Sequence, residues 1–90
     1  MEEGVAHRGE ARRRGRFSWS VHVQGATAAT EARGELRAEA QKLGTVAKRV
    51  RGWPEELVAE WIEEWLRLWH EFHLEAEETG AARFEFSRCK

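Results

Sequence analysis

Ninety residues with a formal net charge of −1 bound the chain to one small domain and argue against a globally charged binding surface. A domain of this size buries only about 60–65 % of its unfolded surface, which five Trp and four Phe help to offset with large rings. Asp and Asn are absent, which removes aspartate-based metal and phosphoryl-transfer sites, EF-hand loops and Ser-His-Asp triads.

The single cysteine, Cys89, forms no internal disulfide, so a reducing compartment is expected. No apolar run approaches the roughly 20 residues of a membrane span, and no apolar core of a secretory signal follows Met1. A cytoplasmic protein without membrane contact is the expectation. The lack of Asn and the scarcity of Gln, Met and Cys give a thermophile-like composition.

In chain order, residues 1–15 lack periodicity and are rich in Gly, Glu and Arg, so they are expected to be a flexible arm. Arg12, Arg13, Arg14 and Arg16 are its candidate phosphate ligands, because each neutralised phosphate releases counterions. No aromatic residue interleaves them, so single-strand stacking is not indicated. Residues 16–24, RFSWSVHVQ, alternate: Phe17, Trp19, Val21 and Val23 face one way, Ser18, Ser20, His22 and Gln24 the other. That pattern predicts a strand with one buried face.

Gly25 ends this strand, and Thr27 is the expected N-cap of a helix running to about Leu43. Its stripe of Ala29, Ala32, Ala40, Leu36 and Leu43 is narrow and small, suited to close packing on a sheet. Gly44 is expected to close the helix, and TVAKRVR (residues 45–51) to form a second, basic edge strand with Val46 and Val50 inward. Lys48 falls on the inward side, against the pattern.

The stretch from Pro54 to Glu78 predicts a long helix. Pro54 fits the first turn, Glu55 and Glu56 complement the positive helix end, and Gly80 supplies the stop. Leu57, Val58, Trp61, Ile62, Trp65, Leu66, Leu68, Trp69, Phe72 and Ala76 share an apolar arc of about 180°, against the roughly 100° of a usual core-facing helix. Residues 82–89 alternate again and predict the last strand, with Phe84 and Phe86 on one face.

The segment Val21-His22-Val23-Gln24-Gly25 resembles the strand-to-loop entry of acylphosphatases. The resemblance covers five residues. That family continues with Gly and a catalytic Arg, whereas Ala26-Thr27-Ala28-Ala29 follow here, and its catalytic Asn has no counterpart. The resemblance therefore implies no activity, only a ferredoxin-like arrangement.

The expected fold is a small two-layer α+β sandwich over residues 16–90, in β-α-β-α-β order, ferredoxin-like or a truncated relative. The leading functional expectation is a non-enzymatic interaction or assembly module. It would be homo-oligomeric through the Trp-rich helix or a sheet edge, with no cofactor. Trp65 and Trp69 lie mid-arc, with Phe72 continuing their ridge. Trp61 and Leu68 lie towards one flank, Ile62 and Leu66 towards the other, and one flank is expected to stay uncovered until a second copy or another protein meets it. The first alternative is nucleic-acid binding through the Arg cluster. A third is a small enzyme, either metal-dependent or acting on an aromatic ligand. For the metal, His70, His73 and Glu77 share one helix edge and offer two nitrogens and a carboxylate.

Overall fold

The computed structural model describes residues 3–8, 16–49 and 52–89. Its elements are β1 (Gly4–Arg8), β2 (Arg16–Gln24), α1 (Ala26–Arg49), α2 (Glu55–Thr79) and β3 (Ala81–Cys89). The three strands form one antiparallel sheet in the order β1-β2-β3, with Gln24 opposite both Gly4 and Ala81. Phe17, Val21 and Val23 of β2 and Ala82, Phe84 and Phe86 of β3 are buried in a single core with residues from both helices. Trp19 packs against this core, and the predicted two faces of β2 and β3 hold.

Three expectations are corrected. First, the order is β-β-α-α-β, and every strand pair is antiparallel, so no parallel crossover of the ferredoxin-like kind exists among the described residues. What holds is the coarser description, a small α+β fold with two helices on one face of an antiparallel sheet. Second, the strand expected at residues 45–51 is helix as far as Arg49, and 50–51 lie outside the described residues. Val46 and Val50 are four apart, a spacing that suits a helix face as well as it suits alternate strand positions. Gly44 does not stop the helix. A Cβ there would lie 3.2 Å from Ile62 Cδ1, so the missing side chain admits α2 closely.

Third, Gly4–Arg8 is not part of an arm but a strand that pairs with β2. Only Val5 and Ala6 are apolar in it, and backbone hydrogen bonds that carry no side-chain signature make the pairing. Arg12, Arg13 and Arg14 thus fall in the segment joining two strands, and residues 9–15 lie outside the described part of the structure.

Gly25 takes φ +99° at the turn from β2 into α1, and its N–H donates to Gly80 O at 2.7 Å. Gly80 has φ +77° and its N–H donates to Ala76 O at 2.9 Å, a left-handed cap that a side chain would strain. The two strand–helix joints are therefore bonded to each other. α1 begins at Ala26 rather than after a Thr27 cap, and the free Thr27 N–H is met from outside by the Glu3 carboxylate at 3.1 Å. An anion there also complements the helix dipole. At the other helix joint Trp53 is buried with its ring centroid 4.1 Å from that of Trp61, and Val58 N–H donates to Pro54 O.

Candidate functional site

The apolar arc of α2 is wide because it serves two partners within the chain. Trp65 is fully buried, its ring against Phe17, Trp19, Phe84 and Phe86, and its Nε1 donates to Leu36 O of α1 at 2.7 Å. One turn on, Trp69 Nε1 donates to Arg33 O at 2.9 Å, with the Arg37 guanidinium 5.3 Å from its ring centre. Ile62 meets α1 at Gly44. Phe72 is buried, and Trp61 is buried between Trp53 and Phe86. Trp61, Trp65 and Phe72 are thus buried in the core of the single chain, and half-buried Trp69 and Ile62 pack against α1. Leu66 is half-buried and also packs on the core.

The sequence shows the arc but not its second partner. The Ala-lined stripe was the signal. Ala28, Ala29, Ala32 and Ala40 are all buried, which lets α1 approach until the two indoles reach its carbonyls.

What remains on the other side of α2 is the flank over β3. Leu57 and Leu68 are half-buried there by helical spacing from Trp61. Beside them an open groove of about 510 Å³ is lined by Glu60, Glu63, Glu64, Arg67 and Arg88, with Trp61 at its base. Glu64 is its centre. It accepts a hydrogen bond from Arg67, and lies 2.7 Å from the Arg88 guanidinium of β3; Arg67 also donates to Glu71 at 2.9 Å.

The hydrogen bond from Arg67 is the largest cause holding the Glu64 carboxyl below its ordinary 4.5, and the positive charges of Arg67 and Arg88 act in the same direction against some desolvation. A depressed pKa stabilises the fold above the unfolded carboxylate's pKa, and that increment is lost as pH falls through the folded value. Glu64→Gln is therefore expected to lower the melting temperature at neutral pH, with the gap to the unchanged protein closing below the carboxylate range. An NMR titration of Glu64 checks the cause: its midpoint must rise in Arg67→Ala, and an unmoved midpoint refutes the assignment.

The expected metal ligands do not converge. His73 Nδ1 is bonded to the Arg33 guanidinium and its Nε2 lies 3.3 Å from Glu77 Oε1. Arginine can only donate, so Nδ1 accepts and the ring proton sits on Nε2, directed at Glu77. Both ring nitrogens are engaged, the ring stacks on Trp69, and His70 stands apart on an exposed position. Among the described residues no three His, Cys, Asp or Glu side chains are grouped to hold a metal.

The helix-free face of the sheet carries Ser20, His22, Arg83 and Glu85. Arg83 Nε donates to His22 Nδ1 at 3.3 Å, which places the ring proton on Nε2, 3.3 Å from Ser20 Oγ. In that tautomer Nε2 donates to Ser20 Oγ rather than accepting from it. Cys89 is exposed at the end of β3. Arg16 opens β2 opposite Cys89, and Arg12, Arg13 and Arg14 lie outside the described residues.

β3 is the edge of the sheet. Its nine residues contain no Pro, and among the described residues no strand pairs with its outer side. Arg88 occupies an inward position and folds onto Glu64, which closes off the end beyond Ser87. From Ala81 to Ser87 the alternate backbone groups that point away from β2 face outwards. No protein family, curated protein or solved structure matches this chain. No helix among the described residues is long and apolar enough to cross a membrane.

Proposed function

We propose that the chain is a non-enzymatic interaction module that docks a partner along the outer edge of β3, beneath the Leu57–Leu68 flank of α2. The observation that carries this reading is the long, unbroken edge from Ala81 to Ser87 with its inward rings held in the core. A rigid edge supplies main-chain hydrogen bonds at little ordering cost, which is the basis of strand addition.

Self-association through the face of α2 loses its motive, because Trp61, Trp65 and Phe72 are already covered within one chain. The outer side of α2 is also acidic, with Glu60, Glu63, Glu71 and Glu78 exposed, so two copies would set like charges together.

Amide hydrogen exchange tests the reading. Alternate amides between Ala81 and Ser87 are expected to exchange far faster than their neighbours bonded to β2. Uniform protection along the strand would mean that the edge is already occupied, and the proposal would fall.

A further inference from the structure

We infer that the partner of this edge is a bare extended peptide, antiparallel to β3, with a base opposite Glu85 and an acid opposite Arg83. This rests on the docking reading above and specifies what docks.

Sterics decide between a peptide and a second whole copy. α2 runs along β3, as Trp65 against Phe84 and Phe86, Trp61 against Phe86 and Glu64 against Arg88 define. Two copies joined edge to edge would bring their α2 helices to about one strand spacing, roughly 5 Å, whereas packed helices stand about 8–10 Å apart. A strand that carries no helix meets no such obstacle. Its side chains on the core side enter beneath the outer flank of α2, where half-buried Leu57 and Leu68 await further cover. Apolar residues suit those positions.

Charge ties the register to the partner's residue order. Arg83 and Glu85 project from the helix-free face two positions apart, both well exposed, and their mutual contact is a loose 3.8 Å. Opposite charges directly across a strand pair stabilise it and like charges oppose it. A partner running antiparallel must then carry its base two residues before its acid. The segment Arg83-Phe84-Glu85 itself has that order, so a synthetic peptide with the sequence of residues 81–88 is a suitable probe. It sets Arg opposite Glu85, Glu opposite Arg83, and Phe on the side of the α2 flank.

The experiment measures binding of two peptides by calorimetry or fluorescence, one with the sequence of residues 81–88 and one with its Arg83 and Glu85 equivalents exchanged. The intact protein is expected to prefer the first by about tenfold, and the double variant Arg83→Glu/Glu85→Arg to prefer the second. The two peptides have one composition, so the intact protein alone already gives a decisive comparison should the double variant fold poorly. Equal affinities would overturn the charge-read partner while leaving edge docking intact. No binding of either at millimolar peptide would remove the docking reading as well. Concentration-dependent dimers in sedimentation, blocked by Leu68→Glu and without peptide binding, would make a second copy the occupant and overturn the inference.

Discussion

Trp65→Ala is expected to cost about 3–5 kcal/mol of folding stability, a large part of the roughly 5–15 kcal/mol that a small domain has. The side chain is the point at which all three packing partners of α2 meet. Its ring touches β2 through Phe17 and Trp19, β3 through Phe84 and Phe86, and α1 through the Nε1–Leu36 O hydrogen bond. Truncation leaves a cavity that no neighbour can fill without abandoning another contact. Trp65→Phe separates the two contributions, since it keeps most of the ring contact and loses only the indole N–H. Urea unfolding measures both. A loss from Trp65→Ala no larger than that from Trp65→Phe would show that the hydrogen bond, not the packing, is what matters here.

The second large effect comes from charge rather than from a cavity. Trp61→Glu places a carboxylate in a site only 4 % exposed, between Trp53 and Phe86, with Glu60 and Glu64 nearby and the two arginines of the groove, Arg67 and Arg88, already engaged by Glu64. An unpaired buried charge costs about 3–5 kcal/mol, and the lost ring contacts add to that, so the variant is expected to be largely unfolded by circular dichroism. Leu68→Glu, two helical turns along the same side, enters a half-exposed position and is expected to leave the fold intact. A folded Trp61→Glu would move Trp61 out of the core and reopen the face of α2 as a contact surface.

Local pattern was informative wherever one face of an element met one partner. Val21 to Gln24 and Ala82 to Ser87 alternate as their burial does, and Pro54 and Gly80 bracket α2. It failed where an element met two partners or none. The sequence displays the wide arc of α2 but not that α1 takes up part of it, through Trp65, Trp69 and Ile62. Only knowledge of how α1 lies against α2 distinguishes those cases. Residues 45–49 carry an ambiguous signal, because two valines four apart satisfy either period and a glycine that makes room for Ile62 looks locally like one that ends a helix. β1 leaves no signal in the sequence, because its pairing uses the backbone of β2.

The candidate edge was legible only in part. That β3 would form was clear, but its position at the rim depends on the sheet order β1-β2-β3, with β2 in the middle. The charges that give the edge its proposed selectivity, Arg83 and Glu85, looked like ordinary solvated positions. They acquire meaning only once the strand beside them is known to be missing among the described residues.

The central strand is separated from its β3 neighbour by both helices, so Arg16 finds Cys89 across almost the whole described chain. The α1–α2 hairpin can assemble from near neighbours, but the sheet closes only after a long loop has lost its freedom. Refolding should therefore show helix signal early and burial of Trp65 against Phe84 and Phe86 late, at the moment β3 docks. Until then the indoles of α2 are wet and adhesive, and the period before β3 arrives is when this chain is most exposed to aggregation.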